Sequence, residues 1–231
     1  MTVSGVHRTS VASLRPYERL PHRLARVVTV PRLRTPDLTS GMLTLVTLQS
    51  REAYQVLARD GVLCGDPMLG DPDFSEAYGW MAEQMRHRLP TTGNGMLWAW
   101  ARTPRTAVVE HARQVPGSVL LTLRVARDRV LLSDYIDWHQ VLNRCINIAP
   151  LPGETDAEWG RRFDVEWDAW DERTRCFDRV ALALWPLDLR AEIEASWEAI
   201  FDLATIPPHR SLQATVHELT ERDVVRAVRI N

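Results

Sequence analysis

The hydrophobic period of this chain changes twice along its length, and that change constrains the fold more than any other feature. Met42–Leu48 (MLTLVTL), Met96–Ala101 (MLWAWA) and Ser118–Val125 are apolar or alternate every second residue, the pattern of strands buried on one or both faces. From Thr155 the repeat lengthens. Trp159, Phe163, Trp167, Trp170, Thr174, Phe177, Ala181 and Leu184 recur every three or four residues until Pro186, which predicts one long helix. Leu212–His217 and Ala227–Ile230 then return to strand patterning. Strands at both ends with helices inserted between them predict an α+β fold. The expected architecture is a small, split sheet, mixed or antiparallel, in one domain over residues 42–231, with 155–203 as the helical insertion.

Capping signals mark the local elements. Ser50 is placed to cap a helix that reaches Asp60 and stops at Gly61, with Ala53, Val56 and Leu57 facing inward. Two Asp-Pro steps make Cys64–Asp73 a surface loop, and Phe74–Arg88 follows as a helix with Phe74, Tyr78, Met81 and Met85 on one face. A strand over Arg129–Leu132 leads to Ser133 or Asp134, either of which caps a helix to about Cys145. Leu189–Leu203 reads as a further helix, and Thr220 with Asp223 caps a short final turn.

Charge is distributed unevenly. The chain of 231 residues carries a net charge of −2, and all 28 of its basic residues are Arg. The lack of Lys excludes Schiff-base chemistry, P-loop phosphate binding and a kinase-type Lys–Glu pair. Seven Arg stand against Glu18 and Asp37 in residues 1–41, a net of +5, while the remaining 21 Arg stand against 28 acids, a net of −7. Residues 1–41 are therefore expected as a loose, Arg-rich extension that could contact nucleic acid or an acidic protein. A translation start at Met42 is the alternative. Cys64, Cys145 and Cys176 are odd in number and form no CxxC pair, so they are expected as buried free thiols. The longest apolar run near the N-terminus, Val27–Val30, is cut by Pro31, and no later run approaches a membrane span. A cytoplasmic protein with no membrane contact is expected.

Few motifs carry chemistry. His217-Glu218-Leu219-Thr220-Glu221 resembles HExxH, but Glu221 replaces the second His and the segment alternates as a strand, so no metal is expected. The densest polar stretch runs from Ser133 to Asn143. On a helix His139 and Asn143 lie one turn apart, supported by Asp134 at the strand end, and Trp138 lies on the neighbouring face. Those residues are either a ligand-facing group or a capped helix with a core Trp. Trp98 and Trp100 share a strand face and are either a stacking platform or core. The stripe Trp159, Phe163, Trp167, Trp170 would dock its helix over the sheet or against a partner protein.

Several strings occur together: Leu45-Val46-Thr47-Leu48-Gln49-Ser50, Tyr78-Gly79-Trp80-Met81 with Gln84-Met85, Leu97-Trp98-Ala99-Trp100, Leu131-Leu132-Ser133-Asp134, Trp138-His139-Gln140-Val141-Leu142-Asn143, Ser196–Asp202 and Gln213-Ala214-Thr215. In order and spacing they resemble the bacterial family catalogued as domain of unknown function 3841, over residues 42–231. That resemblance implies no activity, and it implies that the segment before Met42 lies outside the domain. The order of elements is also similar to ADP-ribosyltransferase-like domains, which bind NAD in a split sheet. Their pattern would place Gln49 on the first strand, Tyr78 on the following helix, and Gln213 or Thr215 where a late-strand Glu stands. A Gln in that position lacks the carboxylate that would stabilise a developing oxocarbenium ion.

Two functions follow as expectations. In the first, one pocket binds a nucleotide-like ligand and transfers ADP-ribose. Gln49, Tyr78, Trp80, Gln84, Trp138 and Asn143 would be its ligand-binding residues, and His139, Gln213 and Asp134 would carry catalysis. NAD enters only as the substrate that the architectural resemblance implies, and no cofactor is fixed by the sequence. The second is a non-enzymatic interaction module using the Trp-striped helix and the Arg-rich segment to bind a protein or nucleic-acid partner.

Overall fold

The structure is a computed structural model that describes residues 18–19, 33, 36–38 and 40–230. Most of the Arg-rich segment, and the expectations attached to it, therefore lie outside the described residues. The strands are β1 (Glu18–Arg19), β2 (Met42–Gln49), β3 (Val62–Cys64), β4 (Leu97–Arg102), β5 (Val119–Ala126), β6 (Leu131–Asp134), β7 (Leu212–Val216), β8 (Glu218–Thr220) and β9 (Val224–Arg229). The α-helices are α1 (Arg51–Asp60), α2 (Ser75–Arg88), α3 (Arg105–Gln114), α4 (Tyr135–Leu142), α5 (Asp156–Thr174) and α6 (Leu187–Trp197).

The α+β class expected from the period changes is the one observed. The strands divide into two sheets, unequally: seven in the order β1-β9-β5-β2-β4-β7-β6, and the ribbon β3-β8. All pairs are antiparallel except β1 with β9. Alternation along the strands sorts the two faces of the large sheet. Leu43, Leu45, Ala99, Ala101, Leu121, Leu123 and Ala214 fill one face, where Tyr54 and Leu57 of α1 cover them. The opposite face is covered in two separate patches. Val108 and Ala112 of α3 close over Val46 and Leu120, while α2, α4 and α6 close over the β4–β7–β6 half with Met81, Met85, Trp138, Ile193 and Trp197. Trp100 packs against the first patch and Trp98 against the second, so the two indoles of β4 lie at the seam between them.

Capping at Ser50 and at Thr220 behaves as the sequence predicts. The Ser50 hydroxyl accepts from the Ala53 N–H at 3.0 Å, and Gly61 closes α1 at φ 76°. Thr155 and Glu158 form a capping box at the start of α5, and Thr220 with Asp223 forms another.

Three expectations need correction. The long helix does not reach Leu184: α5 stops at Thr174 and two 3-10 turns, Arg175–Phe177 and Leu182–Leu184, follow. Side chains from elsewhere satisfy the backbone that a helix would satisfy internally. Arg144 donates to the carbonyls of Val180 at 2.9 Å and Asp178 at 3.1 Å, and Glu76 accepts the Leu182 N–H at 2.7 Å. Helix α3 is absent from the sequence reading because it buries only Val108 and Ala112, too short a stripe to register as periodic. The cysteines are free, but Cys64 and Cys176 are exposed and Cys145 is half-buried, because the first two fall at a ribbon end and in a 3-10 turn.

Candidate functional site

Between β2 and β4 the sheet is held at one ladder pair, Val46 opposite Trp100. Past it the regular ladder stops, and the Thr47 hydroxyl donates to the Trp98 carbonyl at 2.7 Å. A cleft of about 320 Å³ sits there, at the seam between the two helical patches.

Five aromatic rings wall it: Tyr78 from α2, Trp98 and Trp100 from β4, and Tyr135 and Trp138 from α4. Their mutual contacts fix the shape. Trp98 lies 5.2 Å from Trp138 and Tyr78 stacks on Trp138 at 6.5 Å, while Tyr135 meets Trp100 edge-on at 4.6 Å. Among the described residues the indole N–H groups of Trp98, Trp100 and Trp138 have no acceptor. Those of Trp159, Trp185 and Trp197 each donate to a backbone carbonyl. Burial, with the Asp71 charge second, raises the Tyr78 pKa, so this phenol remains a neutral donor.

The polar lining is small and oriented. His139 lies one helical turn after Tyr135 and its Nδ1 is 2.8 Å from the Tyr135 carbonyl, which can only accept. In the neutral ring Nδ1 therefore carries the proton, leaving the Nε2 lone pair for a guest. Gln213 is 5% exposed and donates from Nε2 to the Ser133 hydroxyl at 3.0 Å, so its Oε1 is the atom left to accept. Thr47 has spent its one proton on Trp98 and also accepts from Gln49 Nε2 at 2.8 Å, so it has no donor left for a guest. His111, from the α3 that the sequence did not reveal, completes the rim.

Of the residues singled out in the sequence, Tyr78, Trp138, His139 and Gln213 meet in this cleft. Gln49 stands behind Thr47 and touches the cleft only through it. Trp80 turns into the helical core, edge-on to Trp197 at 5.4 Å and stacked on Phe201 at 5.7 Å. Gln84 is buried and accepts from Arg88 at 3.1 Å. Asp134 is fully buried beneath α4, where one oxygen caps the N–H groups of Ile136 and Asp137 and the other lies 3.2 Å from Arg210. Asn143 lines a second cavity at the far end of α4. A helix period alone put Trp80, Gln84 and Asn143 near the others; the actual faces are decided by which patch each helix covers. His111 carried no signal in the sequence, while Thr47 and Tyr135 lay within stretches that were singled out without being named as site residues.

A family model described as "Domain of unknown function (DUF3841)" matches residues 44–225. The chain belongs to this family. The match takes in β2, β4, α4 and β7, so every wall of the cleft falls inside the DUF3841 region. No curated protein and no solved structure matches the chain.

Proposed function

We propose that the cleft binds a small, planar heteroaromatic ligand of nucleobase type. The observation that carries this reading is the convergence of five aromatic rings on Gln213 and His139, both of which keep one hydrogen-bonding atom unused by the protein. Ring faces stack any base, and the free Gln213 Oε1 and His139 Nε2 accept from amino or lactam N–H groups on its edge. Indole N–H groups supply donors for the ligand's carbonyl or ring nitrogen. A volume of about 320 Å³ holds one ring system with its ribose, whereas a dinucleotide would protrude.

The nicotinamide end of NAD satisfies the same description, but the reading stops at binding. Among the described residues no carboxylate lines the cleft, and Asp134, the acid expected to take part, is engaged by the α4 N-terminus and Arg210. Titration calorimetry with adenosine, nicotinamide and NAD tests the proposal. Saturable binding that drops about tenfold or more in Trp98→Leu and in Gln213→Leu is expected, since stacking contributes roughly 1–3 kcal/mol per base. Absence of saturable binding by all three probes would overturn it.

A further inference from the structure

A second cavity, of about 180 Å³, lies where the loop after α4 meets α5. Trp167, Trp170, Asp171 and Thr174 occupy one face of α5 at helical spacing and form one wall, and Trp185, packed against Trp170 with ring centroids 6.3 Å apart, extends it. Trp170 is 4% exposed and Thr174 is 5% exposed, so the floor is dry, while Asp171 and Asp178 stand exposed at the mouth.

The charges there are not balanced. Among the described residues Arg144 is the one basic residue in the lining, and its guanidinium is already committed to Glu76 and to the carbonyls of Val180 and Asp178. Among the described residues, the carboxylates of Asp171 and Asp178 make no ion pair. Cys145 also lines the cavity, but burial, and after it the charge of Asp178, raises its pKa, which keeps the thiol protonated and unsuited to attack. Chemistry of this kind recognises and does not react.

We propose that this cavity is a binding site for a small organic cation, an alkylated ammonium or a guanidinium. Indole faces attract a positive charge most strongly when it is poorly hydrated, and two exposed carboxylates at the mouth favour its entry. The chain already uses the same attraction on Trp170, which carries the Arg173 guanidinium 5.4 Å from its ring centroid. A hard metal ion is the wrong guest, because aromatic walls offer no lone pairs to complete its coordination shell.

The test follows the indole N–H resonances of the full chain while tetramethylammonium chloride is added, with sodium chloride at equal ionic strength as the reference. Saturable shifts at Trp167, Trp170 and Trp185 are expected, with affinity reduced about tenfold in Asp171→Asn and lost in Trp167→Ala. Methylguanidinium should compete for the same resonances. Should Trp167→Ala fail to fold, Asp171→Asn and Trp167→Leu, checked by thermal melting, carry the test. Shifts no larger than those in sodium chloride would overturn the proposal, as would binding that survives Asp171→Asn with Asp178→Asn. Tighter binding of a Lys-rich peptide at the same indoles would overturn its assignment to a free small cation.

Discussion

Two buried titratable side chains show how single residues were legible by type but not by role. Asp134 stands where the sequence puts an N-cap, and it caps: Oδ1 accepts the N–H groups of Ile136 at 2.7 Å and Asp137 at 2.9 Å. Its burial, the largest influence on it, raises its pKa, so the folded state holds the proton more tightly than the unfolded chain does. The contribution of this group is then greatest at low pH and declines as pH rises through the raised value. Asp134→Asn keeps an acceptor for the cap without the buried charge, so its stability relative to the parent should improve between pH 3 and pH 7. Asp134→Ala removes the cap and should cost about 1 kcal/mol or more in denaturant titration at any pH. His217 has the opposite slope. Burial lowers its pKa from the ordinary 6.5, with Glu218 opposing, and its Nδ1 lies 2.9 Å from the Thr91 hydroxyl. Unfolded chains therefore bind the proton more readily, so stability is complete above about pH 6.5 and falls as pH drops below it. In His217→Gln, urea midpoints measured from pH 7.5 to pH 5 should lose that part of their decline.

At the level of elements, sequence gave what depends on neighbours in the chain and missed what depends on partners far away. Caps at Ser50 and Thr220 and the strands β2, β4 and β7 are all fixed by residues within a few positions of one another, and they appear as expected. The end of α5 was not legible, since Arg144 and Glu76 decide it from other elements. Nor was the cleft. Trp98 and Trp100 read more readily as core than as platform, and their place on the cleft is decided by where α3 and the α2–α4–α6 group leave a seam. A break in a ladder leaves no mark in either strand's own pattern, and here the Thr47 hydroxyl spans it to the Trp98 carbonyl. Thr47→Val keeps the shape and removes the hydroxyl that both donates to Trp98 and accepts from Gln49. It should destabilise by about 1–3 kcal/mol and weaken a heteroaromatic probe in the cleft more than tetramethylammonium in the second cavity. A second prediction concerns the loops beside β3 and β4. Gly65 and Gly95 cross with backbones in contact, and a Cβ on Gly95 would stand 2.2 Å from the Gly65 carbonyl oxygen. Neither backbone can yield cheaply, so Gly95→Ala should lower the melting temperature by several degrees, as for roughly 2 kcal/mol in a chain this size.

Across the whole molecule, both cavities are built on one short helix. Trp138, His139 and Leu142 of α4 face the aromatic cleft, and Asn143, Arg144 and Cys145 just beyond its C-terminus wall the second cavity. What holds α4 in place is its buried side, where Val141 is fully enclosed and packs in the same cluster as Trp138, Ile193 and Trp197. The eight residues of α4 are too few to hold a helix by themselves, so its position is set by that packing and by Asp134 at its start. Val141→Ala removes two buried methyl groups and should cost about 2 kcal/mol. Because Val141 itself lines neither cavity, any loss of binding must come through the placement of α4 and of the side chains it carries. Both probes should therefore weaken together in Val141→Ala, whereas Trp98→Leu should weaken only the heteroaromatic probe and Asp171→Asn only tetramethylammonium. If Val141→Ala lost stability while both affinities stayed at parent values, α4 would be a passive wall, and the two cavities would owe their shape to the sheet seam and to α5 separately.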